Sequence, residues 1–210
     1  MSWSKGGESR GYHHGNLREA LMKAALELIA ERGPSGATFA EAARRAGVSP
    51  AAPYRHFRDR EELLAAVAAA GFERFAEALL KGWDQGRPRP AEAFERMGRA
   101  YLDFARTHAA DYVAMFESGI AVEGNATLQQ ASQRAFGVLR EAAEAVVADM
   151  PGTSRPPALM VALHTWALAH GVASLFGRAD AARRKVPMSP EDLLEAAFLV
   201  YLRGLGAPST

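Results

Sequence analysis

The chain has 210 residues, 49% of them apolar and 23% charged, with a formal net charge of +1. That is enough length for one ordinary domain plus a small one, and enough apolar content for a packed core, so a disordered or fibrous chain is set aside. Cysteine is absent, which excludes disulfides, thiolate metal sites and catalytic thiols and makes a reducing cytoplasm the simplest home.

Alanine is abundant and β-branched residues are sparse, so an all-α fold is expected. The first sixteen residues, MSWSKGGESRGYHHGN, lack the apolar core of a signal peptide and read as a polar arm. Lys5 and Arg10 in that arm are candidates for a minor groove, against the plainer alternative of a tail with no contact. Asn16 and Glu19 predict a capped start for a first helix over 17–31, and Gly33-Pro34 ends it. Its apolar stripe is Leu21, Ala24, Ala25, Leu28 and Ile29.

Residues 38–57, TFAEAARRAGVSPAAPYRHF, carry the strongest functional signal. Thr38 and Glu41 form a capping-box pattern, and Phe39, Ala42, Ala43 and Ala46 recur at helical spacing. Gly47 suits a left-handed turn position, Val48 plugs the corner, and Ser49-Pro50 predicts the start of a second helix. Two helices joined by so short a turn form a helix-turn-helix, whose second helix can lie in a DNA major groove. Between positions 44 and 60 five arginines, Arg44, Arg45, Arg55, Arg58 and Arg60, face the single acid Asp59. That local excess suits phosphates, although a solvated helical face has the same composition.

Further along, Asp59 and Glu62 cap a fourth helix running to about Trp83, and 85–90 (QGRPRP) break the chain. Helices are predicted over 91–107, 109–117 and 127–149, with a Gly-containing loop at 118–125 and a Pro-rich loop at 150–157. An eighth helix over 158–177 carries no Asp, Glu, Lys or Arg. It reads as the central helix of a second domain rather than a membrane span, since His164, Thr165, His170, Gly171 and Ser174 interrupt it. After Arg183, Arg184 and Lys185, Ser189-Pro190 and Asp192 cap a ninth helix ending at Gly204. Asp103, Asp111 and Glu117 read as solvated, and no cluster of carboxylates marks a cation site.

The residues Thr38, Ala42, Ala43, Ala46, Gly47, Val48, Ser49, Tyr54, His56, Phe57, Arg60 and Leu63 resemble the signature of the TetR family of bacterial transcriptional regulators, over about 12–64. Arg60 replaces the usual Lys, and Pro53 stands where many relatives have Leu. Within a first helical turn the donor that proline lacks is largely unpaired, so a recognition helix is still expected. The resemblance implies an arm and DNA-binding head over 1–62 and a helical ligand-binding and dimerisation domain over 63–210, about nine helices in all. By the same resemblance Thr38, Tyr54, His56 and Arg60 contact phosphates. Arg44 and Arg45 add backbone contacts, while Ser49, Pro50, Ala51, Ala52 and Arg55 point toward base edges.

In that family the last two helices pair with their copies as a four-helix bundle, here 158–177 and 191–203. Leu194, Ala197, Phe198, Tyr201 and Leu205 make one apolar face of the latter. Trp166, His170 and Gly171 resemble the W…HG signature of the WHG-type C-terminal domain in one branch. An effector pocket is expected among Phe94, Met97, Tyr101, Phe104, Tyr112, Met115, Phe116, Trp166 and His170, all of which serve equally well as plain core. The expected partners are double-stranded operator DNA, a second copy of the chain and a small apolar or aromatic effector that releases a repressor. No membrane, cofactor or metal is expected. The alternative is a helical adaptor that binds protein without specific DNA binding. An enzyme is disfavoured, because no H-x-x-x-H, E-x-x-H, G-x-S-x-G or phosphate-cradling loop occurs.

Overall fold

A computed structural model describes residues 17–152, 155–177 and 186–206. The arm with Lys5, Arg10 and Asn16, and the basic triplet Arg183, Arg184 and Lys185, lie outside the described residues. Among those described there are eight α-helices and no strand: α1 (Leu17–Arg32), α2 (Phe39–Arg45), α3 (Arg60–Trp83), α4 (Pro90–Thr107), α5 (Ala109–Phe116), α6 (Ala126–Asp149), α7 (Ala158–Gly177) and α8 (Pro190–Gly204). The all-α expectation holds, with starts and stops close to those the capping residues predict.

Local chemistry sets these boundaries. Asp59 accepts a hydrogen bond from the Glu62 amide at 2.8 Å, Asn125 from Leu128 at 3.0 Å and Ser189 from Asp192 at 3.0 Å, opening α3, α6 and α8. Pro90 and Pro190 sit in first turns, where a missing donor costs nothing. Thr38 caps α2 by accepting from the Glu41 amide, but Glu41 does not close a capping box. Its carboxylate accepts instead from Arg44 at 2.7 Å, and Arg32 lies 3.6 Å away.

Two apolar cores share α3. The smaller joins the α1 stripe, Phe39 and Ala42 of α2 and Phe57 to Leu63, Leu64 and Val67. The larger takes Phe72, Phe75, Ala76 and Leu79 from further along the same helix and packs them against α4, α5, α6, α7 and α8. A second link is α5: Ala114 belongs to the smaller core, and Tyr112 and Met115 to the larger. Asp111, expected to be solvated, is 4% exposed and ion-pairs with Arg74 of α3, tying these two linking helices together. Burial without a partner would be costly for a carboxylate, and Arg74 supplies the compensation. Asp103, by contrast, is exposed and paired with Arg106 at 2.6 Å, and Glu117 is exposed.

Two close approaches fix α4. A Cβ added at Gly82 would meet Ala100 Cβ at 2.9 Å, so α3 and α4 cross almost backbone to backbone there. A Cβ at Gly98 would meet Phe198 at 2.7 Å, where α8 lies on α4. Phe198 stacks on Phe94 at 5.9 Å, and Leu194, Phe198 and Leu202 are buried. The α8 stripe therefore corrects the sequence reading: Leu194 and Phe198 face the chain's own core. Its outward side instead carries Val200, 74% exposed.

Candidate DNA interface and ligand cavity

α2 ends in a Schellman motif. Val48 N–H donates to Ala43 O at 3.0 Å and Gly47 N–H to Arg44 O at 3.2 Å, with Gly47 at φ 70°. That left-handed position explains the glycine and turns the chain sharply.

The second rod differs from the sequence expectation. It is a short 3-10 helix over Ala52–Arg55, in place of an α-helix from Ser49. Ser49 contributes its carbonyl, which accepts from Ala52 N–H at 3.0 Å, and its side chain makes no cap. The reason is position. Counting Ser49 as the cap, the amide of residue 53 would be the first to close an α-type bond onto Ser49 O, and Pro53 has no N–H. Regular i to i−4 bonding resumes only at Phe57, whose N–H donates to Pro53 O at 3.0 Å. Pro53 and Phe57 are buried and anchor the segment, with Arg18 5.0 Å above the Phe57 ring.

Of the predicted interface residues, Thr38, Arg44, Ser49, Pro50, Ala51, Tyr54, Arg55 and His56 are exposed, while Arg45, Ala52 and Arg60 are half-buried. Tyr54 is 65% exposed, and its ring edge rests on Phe39 at 5.0 Å. The arginine excess largely disappears in three dimensions. Arg45 donates twice to Glu31, both bonds at 2.6 Å, with Glu27 at 3.8 Å. Arg44 pairs with Glu41 at 2.7 Å and Arg58 with Glu62 at 3.0 Å. These contacts raise the Arg45 and Arg58 pKa values and hold Glu31, Glu41 and Glu62 below the usual carboxylate value, chiefly through the side-chain bonds and, for Glu62, the Arg58 amide. Arg60 donates to the carbonyls of Ala37 at 2.9 Å and Pro34 at 2.5 Å, bracing the loop ahead of α2. Among the described residues, Arg55 alone of the five has no hydrogen-bond or ion-pair partner. A charge count along the chain missed Glu27, Glu31, Glu41 and Glu62 because they lie outside the 44–60 window.

The second site is a cavity of about 530 Å³ enclosed by α3, α4, α5, α6, α7, α8 and the loop before α6. Six of the predicted residues line it: Phe94, Met97, Tyr101, Met115, Phe116 and Trp166. Phe104, Tyr112 and His170 do not. Phe104 is core, stacked on His108 at 4.7 Å and leaning on Phe75 at 5.1 Å. Tyr112 and His170 stand behind the wall, where the Tyr101 and Tyr112 hydroxyls each lie 2.9 Å from His170 Nδ1. Burial lowers the His170 pKa and raises that of Tyr101, so it favours the neutral form of both. Sequence reasoning missed Phe72, Phe75, Leu79, Phe136, Leu139 and Phe198, together with the polar rim residues Glu123, Ser132 and Gln133. Their apolar periodicity is that of any core stripe, so nothing local separates wall from core. No cluster of metal-ligating side chains occurs among the described residues.

A short turned pair of rods in front of a helical domain with an internal cavity defines the architecture of one-component bacterial regulators. Two family models match: "Bacterial regulatory proteins, tetR family" over 21–67 and "Tetracyclin repressor-like, C-terminal domain" over 94–200. The chain belongs to the TetR family, whose members are DNA-binding transcriptional regulators. A Rhodococcus sp. RHA1 protein described as of unknown function superposes with a TM-score of 0.79 at 29% identity, over 94% of this chain and 100% of that one. The HTH-type transcriptional regulator BetI of Rhizobium meliloti is 47% identical over 50 residues, 24% of this chain and 25% of that protein. A class A tetracycline repressor protein from Escherichia coli is 37% identical over 93 residues, 42% of this chain and 43% of that protein. The matched stretches thus span less than half of those two relatives. The likeness of Trp166, His170 and Gly171 to the WHG signature remains one of three residues, and the matching C-terminal family model is the tetracyclin repressor-like one.

Proposed function

We propose that this chain is a cytoplasmic, homodimeric repressor that leaves a palindromic operator when a small apolar or aromatic molecule enters the cavity. The observation that carries the reading is the turned segment after α2, where Ser49, Pro50, Ala51, Tyr54, Arg55 and His56 are all exposed within eight residues. Thr38, Tyr54 and His56 take phosphates, with Arg44 beside them, and Arg55 reads a guanine edge while Ala51 and Ala52 meet thymine methyls. Arg45 and Arg60 act by holding the head together, and their phosphate contacts require release of the partners they now have.

Dimerisation uses α7 and α8, whose outward apolar side chains include Leu159, Leu163, Leu175 and Val200, each at least 43% exposed. Exposed apolar side chains on both of these helices call for a cover, and two-fold pairing also supplies the second half-site reader. α7 is long and apolar enough to cross a membrane by composition; a protein-covered face accounts for that character equally well. The head and ligand-binding units divide near 62–63, early in α3, with Leu63, Leu64 and Val67 beyond that point still packing into the head's core. Effector binding acts through α5, which touches both cores, and selects a state whose two heads no longer match successive major grooves.

Selection of bound fragments from the source genome tests this reading: recovery of a palindromic site supports it, and an enrichment-free pool refutes it. Ion pairing of three of the five arginines, Arg44, Arg45 and Arg58, favours one rival, an adaptor that binds only protein. Retention on duplex DNA that falls steeply with salt separates the regulator from that adaptor.

A further inference from the structure

The cavity wall carries a charge pattern that restricts its occupant. Among its described lining residues Glu123 is the one acidic side chain, and no Lys, Arg or His contributes. Eight aromatic side chains line the same space, Phe75, Phe94, Tyr101 and Trp166 among them. The floor is buried: Phe94 is 0% and Thr165 1% exposed. The opening is wetter, with Glu123 and Gln133 exposed and Trp166 at 36%. Burial favours the neutral form of His170 beside the Tyr101 and Tyr112 hydroxyls, and Arg74 is engaged by Asp111.

We infer that the ligand of this cavity is an apolar or aromatic amine in its protonated form, its body on the aromatic floor and its ammonium at the mouth with Glu123 and Trp166. The inference rests on the cavity being the effector site. A carboxylate placed here would lose water without gaining a counter-ion, and the one fixed charge it met would repel it. An ammonium gains from the aromatic faces as well as from the carboxylate. At the wet rim it also keeps part of its hydration, so the cost of burying a full charge is avoided.

The test compares three molecules with one body, 4-phenylbutylamine, 4-phenylbutanol and 4-phenylbutanoate, binding to the full-length protein by titration calorimetry. The amine is expected to bind about ten-fold more tightly than the alcohol, from one rim ion pair plus one cation–π contact, with the carboxylate weakest. Glu123→Gln is expected to remove most of the amine's advantage while leaving the alcohol unchanged; Glu123 is exposed, so the fold tolerates it. Carboxylate binding equal to or tighter than that of the amine overturns the inference, as does an amine advantage that survives Glu123→Gln. In both cases the effector-site reading stands. If none of the three binds, that reading fails together with the inference.

Discussion

Arg45 forks onto Glu31 with both bonds at 2.6 Å, clamping α2 to α1 beside the turn. Two planar donors on two carboxylate oxygens make a directional joint. Arg55, ten residues on and free among the described residues, has the opposite character. Arg45→Ala is therefore expected to lower the melting temperature of the protein. Arg55→Ala should leave that temperature unchanged and reduce discrimination at one base pair by about 1–3 kcal/mol. Equal loss on every operator variant would remove Arg55 from base readout and place it on the phosphates.

Gly98 is the contact point of α4 and α8. Its substitution by alanine pushes a methyl against the Phe198 ring, 2.7 Å from where the Cβ would stand. That ring is already stacked on Phe94, so displacing it disturbs a second buried ring. Overpacking of this kind costs about 1–3 kcal/mol, and better helix propensity offsets about 1 kcal/mol of it. Urea unfolding should show a net loss of up to about 2 kcal/mol. A clear gain in stability would mean that α8 is not seated on α4 in solution.

Val200 tests the outward face of α8. It is 74% exposed. Val200→Asp is expected to leave the helical circular dichroism unchanged and to shift the protein from dimer to monomer in sedimentation, since a carboxylate there would be buried twice over across a two-fold interface. A dimer that persists would place the interface elsewhere.

His170 gives a pH prediction with a definite sign. Burial depresses its pKa below 6.5. Below that value an unfolded chain takes up a proton that the native imidazole refuses, so stability is complete above 6.5 and falls as the pH drops toward the native value. His170→Gln keeps a hydrogen-bonding side chain and removes the titration. Its melting temperature should decline less than that of the parent between about pH 7 and about pH 5. Parallel declines would show that the imidazole is not desolvated.

Much of this was legible in the sequence because it is local. Asp59 and Ser189 announce helix starts three residues from the amides they cap, and Gly47 marks a turn that its own φ requires. The second rod was misjudged by a single position: Pro53 falls at the first amide that α-bonding needs, one place beyond the harmless first turn. The arginine excess was misjudged for a different reason. Glu31 reaches Arg45 from fourteen residues away, and Glu62 reaches Arg58 from just past the counted window, so neutralisation depends on packing. The cavity was half legible. Its residues are apolar at helical spacing, and whether such a stripe closes on a neighbour or leaves space depends on how six helices meet.

The most direct measurement is the affinity of the full-length protein for a duplex fragment recovered from its own genome, followed by fluorescence anisotropy across a salt series. A regulator docking its turned rods in successive major grooves should bind with two-fold stoichiometry, and the logarithm of its affinity should fall linearly with that of salt concentration. Absence of binding to any duplex in dilute buffer, or an affinity indifferent to salt, would contradict the account.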